Sequence, residues 1–83
     1  MVYIKHNFLN NKGIVLKDLG RLQKRLSKYP EARKNYDKSL EAYDNALGQD
    51  SDLIDALSNK GDLLRHIGDL LREIAQNQGQ LKK

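Results

Sequence analysis

An all-α fold of three helices running up, down and up is what this sequence predicts, and three observations carry it. Apolar residues recur in two stretches, Leu9, Leu16, Leu19 and Leu26, then Leu57, Leu64, Ile67, Leu71 and Ile74, at a helical rather than a strand period. Between them tyrosines stand at positions 29, 36 and 43 and small residues at 32, 39 and 46, all in steps of seven. Such a step returns to nearly the same helical face, so a bulky stripe runs beside a small one. Third, the outer stretches echo each other at an offset of 48 residues. Phe8-Leu9-Asn10-Asn11-Lys12-Gly13 matches Ala56-Leu57-Ser58-Asn59-Lys60-Gly61, and Leu16, Leu19, Gly20 and Leu22 match Leu64, Ile67, Gly68 and Leu70. Self-similarity of this kind marks stacked helical repeats.

The first helix is expected over residues 7–27, with residues 1–6 as a flexible end. The second, over 30–47, opens Tyr29-Pro30-Glu31-Ala32, and proline suits a first helical position because its missing N–H has no partner to lose. Gly48-Gln49-Asp50-Ser51-Asp52 stops it. The third is expected over 52–76, capped by Asp50, Ser51 or Asp52, with residues 77–83 as a second flexible end. Short links make sequential helices antiparallel. Gly13 and Gly20, and their echoes Gly61 and Gly68, fall inside the outer helices, where each costs about 1 kcal/mol relative to alanine. Close helix approach is the expected reason: a tyrosine ring or a neighbouring backbone fills each dent. The middle helix offers both, with Tyr36 and Tyr43 as bulk and Ala32, Ser39 and Ala46 as a shallow strip.

Composition narrows the function. At 83 residues, 39% hydrophobic and 31% charged, the chain makes one domain with a modest core. Without cysteine it has neither a disulfide framework nor a thiolate metal site. Its apolar runs are too short for a membrane span and its start lacks a signal-peptide core, so a cytoplasmic protein with no membrane partner is expected. The net charge of +4 is uneven: residues 1–38 hold ten Lys/Arg against three acids, and residues 39–83 hold five against eight. The basic half can attract an acidic peptide, nucleic acid or the acidic half of a second copy.

Leu16, Leu19-Gly20, Tyr29-Pro30-Glu31-Ala32, Tyr36 and Ser39-Leu40 resemble the tetratricopeptide repeat motif, in which two antiparallel helices form each repeat. The resemblance covers residues 12–47 as one repeat and 54–74 as the first helix of the next, about one and a half repeats. A second register puts Gly13 and Gly61 at the signature glycine, but it places Pro30 inside a helix at a cost of about 3 kcal/mol. The resemblance implies a helical hairpin plus one further helix and a protein-binding scaffold. It also implies that first helices line a concave peptide groove, which aims Lys17, Arg21, Lys24 and Arg25 at a ligand. Some members clamp a peptide's terminal carboxylate with lysines and asparagines; Lys17 fits that lysine, whereas Arg21 replaces the asparagine.

Lys17, Arg21, Lys24, Arg25 and Lys28 form a basic stripe on one face of helix 1, suited to carboxylate or phosphate. Phosphate contact needs only such clustering, so a basic nucleic-acid-binding bundle is the alternative reading. The tyrosines that could stack on bases are committed to the core, which makes nucleic acid the less favoured partner. Asp62, His66, Asp69 and Glu73 share a face of helix 3; interleaved Arg65 and Arg72 make this a salt-bridged surface with an expected Arg65–Asp69 pair, not a metal site. No phosphate loop or nucleophile–base pattern is present, so neither enzyme activity nor a cofactor is expected. Helix 3 is apolar around more than one face, and Leu63, Leu70, Leu71 and Ile74 are the expected self-association surface, giving a homodimer or a complex with another protein.

Overall fold

The computed structural model describes the backbone of residues 2–50 and 53–81 and the side chains of residues 7–50 and 53–78. Three helices account for nearly all of it: α1 (Val2–Arg25), α2 (Tyr29–Gln49) and α3 (Ile54–Leu81). Two outer ends run further than the periodicity predicts, since the backbone is helical from Val2 and on to Leu81. Ser51 and Asp52, two of the expected caps, lie outside the described residues.

The turn between α1 and α2 is built by the backbone. The Ser27 N–H donates to the Lys24 carbonyl at 2.9 Å and the Lys28 N–H to the Gln23 carbonyl at 2.8 Å. Together they close the end of α1 as a Schellman motif, with Ser27 in the left-handed region at φ 60°. Lys28 then opens α2 without a side-chain cap, and Pro30 sits in the first turn, as the Gly20 register requires. At the other end the Asp50 N–H reaches the Ala46 carbonyl at 3.1 Å.

Both stripes of α2 are buried: Ala32, Ser39 and Ala46 on one line, Tyr36 and Tyr43 on the other, all with no exposed surface. Against α1 they interlock. A methyl group on Gly13 would stand 2.5 Å from Cε1 of Tyr43, and one on Gly20 would stand 2.7 Å from Cδ1 of Tyr36. The missing Cβ atoms let two rings lie directly on the α1 backbone, and the Ser39 hydroxyl donates to the Gly13 carbonyl at 2.6 Å. On α1 both glycines thus lie directly under a tyrosine ring of α2.

On α3 they do not face α2. Gly61 and Gly68 are exposed, with nothing within 4 Å of an added Cβ. The reason is rotation. α3 turns Ala56, Leu63 and Leu70 inward, each fully buried, with Ile67 and Ile74 partly buried beside them. By the 48-residue offset these match Phe8, Val15, Leu22, Leu19 and Leu26, all of which are exposed on the back of α1. The two look-alike helices thus present different faces to α2: α1 meets Tyr36 and Tyr43 with its glycines, and α3 meets the same core with Leu63 and Leu70. α3 packs chiefly on α2 and meets α1 along one edge, giving a slab with Cα extents of 55 × 18 × 13 Å.

Candidate interaction surfaces

Two surfaces deserve a chemical account, the seam between α1 and α3 and the outer face of α3. At the seam, parallel helices bring side chains about one repeat apart into polar bridges. The Asn59 amide donates to Asn10 Oδ1 at 3.1 Å. Lys17 Nζ donates to Asp62 Oδ2 at 3.1 Å, and Lys24 lies 3.6 Å from Glu73. The same Glu73 accepts from the Tyr29 hydroxyl at 3.0 Å, and Asn77 donates to that hydroxyl at 2.8 Å. Below the seam Lys60 of α3 holds Asp44 of α2 at 2.7 Å. Sequence reasoning missed these bridges; the 48-residue echo is the one signal that could have placed residues 10–24 beside residues 59–73.

The bridges divide the basic stripe. Lys17, its side chain 13% exposed, is spent on Asp62, which leaves it badly placed to clamp a ligand carboxylate. Among the described residues Arg21 has only a long contact to Asp18 at 3.9 Å, and Arg25 and Lys28 form no ion pair. Arg21, Lys24 and Arg25 line a cleft of about 320 Å³ with Ser27, Tyr36, His66, Asp69 and Glu73. Two carboxylates in that wall make it amphoteric rather than uniformly basic.

Asp62 is held below the usual carboxylate range, first by the hydrogen bond from Lys17. His66, 3.5 Å from Asp62, is nevertheless pushed below the ordinary imidazole value. Burial is the main cause; the Asp62 carboxylate opposes it, and Arg21, Lys17 and Arg65 add to the lowering. Burial also raises the phenols of Tyr36 and Tyr43, and neither hydroxyl finds a hydrogen-bond partner among the described residues. The acidic row on α3 is tied up in salt bridges, with one change of partner. Arg65 pairs with Asp62, not with Asp69, which is held by Arg72 at 2.8 Å. No metal-ligand cluster occurs among the described residues, and no helix there is long and apolar enough to cross a membrane.

The expected self-association residues separate in the same way. Leu63 and Leu70 are core, fully buried against α2, and Ile74 is partly buried beside them; only Leu71, 44% exposed, lies outside. The apolar outer face of α3 instead consists of Ile54, Leu57, Leu64 and Leu71, running beside the open Gly61 and Gly68.

The Tetratricopeptide repeat family model matches residues 7–78, nearly the whole chain. The chain belongs to that family. No curated protein matches it, and no solved structure does. Tetratricopeptide repeats are protein–protein interaction modules, and the fold agrees: α1 and α2 form one complete tetratricopeptide hairpin, and α3 supplies the first helix of the next.

Proposed function

We propose that this tetratricopeptide chain is a non-catalytic scaffold that binds another protein, or a second copy of itself, through the outer face of α3. The observation that carries the reading is the exposed row Ile54, Leu57, Leu64 and Leu71 on a helix whose opposite face is already buried. A continuous apolar row of this kind is a contact surface in waiting. Arg21 and Arg25 at the mouth of the α1–α3 cleft are a subsidiary site for an acidic peptide. A cytoplasmic setting belongs to the same proposal.

Light scattering and pull-down test it. Association at micromolar concentration should give a mass above the 9.5 kDa of one chain, or a retained partner protein. Either should persist in added salt and be lost in Leu71→Asp. A chain that stays monomeric and retains nothing sinks the reading. Nucleic-acid binding is the weaker alternative, because Lys17 and Lys24 of the stripe are engaged by Asp62 and Glu73. Binding to arbitrary DNA or RNA that falls steeply with salt, and vanishes in the triple variant Arg21→Glu, Lys24→Glu, Arg25→Glu, would reinstate it.

A further inference from the structure

The outer face of α3 has a counterpart in the same molecule that is already occupied. Shifted by 48 residues, Leu57, Gly61, Leu64 and Gly68 become Leu9, Gly13, Leu16 and Gly20. That is the face of α1 which grips α2, with Tyr43 over Gly13 and Tyr36 over Gly20. On α3 the same two dents are open, and the flanking Leu57 and Leu64 are about half exposed. A helical glycine that touches nothing costs stability, and unlike Gly48 these two repeat the spacing and flanking leucines of the pair that α2 covers on α1.

We propose that this face receives one helix of a partner protein, amphipathic and antiparallel to α3. That helix carries two aromatic side chains seven residues apart, which seat over Gly68 and Gly61. The template is α2: Ala32, Tyr36, Ser39, Tyr43 and Ala46, with small residues between the rings so that the backbones approach and a hydroxyl reaches the Gly61 carbonyl as Ser39 reaches Gly13. A folded second copy cannot offer its own ridge, because Tyr36 and Tyr43 have no exposed surface there. This rests on the reading of the chain as a protein-binding module and specifies the partner.

The test uses the full chain and a synthetic peptide with the sequence of residues 28–50. Four chains are titrated with it: wild type, Leu64→Asp, the double variant Gly61→Ala/Gly68→Ala, and Gly48→Ala as a control at a glycine that also touches nothing. Saturable binding to wild type and the control is expected, weakened at least about tenfold by the double variant and by Leu64→Asp. A peptide with Tyr36→Ala and Tyr43→Ala should bind at least about tenfold more weakly. Circular dichroism should show the double variant folded and more heat-stable than wild type, so lost binding is not lost structure. Binding reduced by Leu64→Asp but untouched by the two alanines overturns the glycine sockets and leaves the adhesive face standing. No binding to wild type overturns the proposal, as does self-association that the alanines do not alter; the wider reading then rests on its own light-scattering and pull-down test.

Discussion

Glycine has opposite meanings at equivalent positions of this chain. At Gly20 an added methyl meets the Tyr36 ring at 2.7 Å and the Ala32 carbonyl at 3.2 Å, whereas at Gly68 it meets nothing. Both sites gain about 1 kcal/mol of helix propensity on becoming alanine. Only Gly20 also incurs overpacking of about 1–3 kcal/mol. Gly20→Ala should therefore lower the melting temperature and Gly68→Ala raise it, the latter by about 4–8 °C for a domain of this size. Thermal melts followed by circular dichroism check both, and equal shifts at the two sites would remove the asymmetry between α1 and α3. Ser27 is a different case of local backbone demand. Its φ of 60° is a conformation that favours glycine, so Ser27→Gly should stabilise the chain by about 0.5–1 kcal/mol in urea denaturation.

Among the elements, the number and order of helices were legible in the sequence, whereas the outer ends of α1 and α3 run past the bounds that periodicity suggests. The seven-residue steps of Ala32, Ser39 and Ala46 and of Tyr36 and Tyr43 could fit only a helix buried on two adjacent lines, and Pro30 fixed where it begins. The hand-in-glove fit of α1 on α2 followed from Gly13 and Gly20. What could not be read was how α3 is turned. Its likeness to α1 argued for the same inward face, yet the α2 glycine-socket contacts of Tyr36 and Tyr43 are all made with α1. Leu63 and Leu70 fill the remaining side of α2 instead, which moved two of the four expected association residues into the core. The seam bridges were hidden for a related reason. Pairs such as Lys17–Asp62 depend on how two non-sequential helices lie side by side, and a periodicity along one helix carries no such information.

Across the whole molecule, the seam makes stability depend on proton uptake. Asp62 and His66 both bind protons less readily in the folded chain than outside it, so the unfolded chain takes up more protons as pH falls. Their contribution is complete above the unfolded values. The histidine part is lost as pH drops from about 6.5 toward the lower folded value, and the carboxylate part as it drops below about 4. Melting temperature should fall in two stages between pH 8 and pH 3, and His66→Gln should remove the upper stage. A profile that rises on acidification would mean that the Asp62 carboxylate, not burial, governs the imidazole. The free glycines of α3 set a second dependence, this time on company. Selecting the solitary chain for heat resistance would accumulate alanine at positions 61 and 68, and the hardier molecule so obtained would have sealed its own berth.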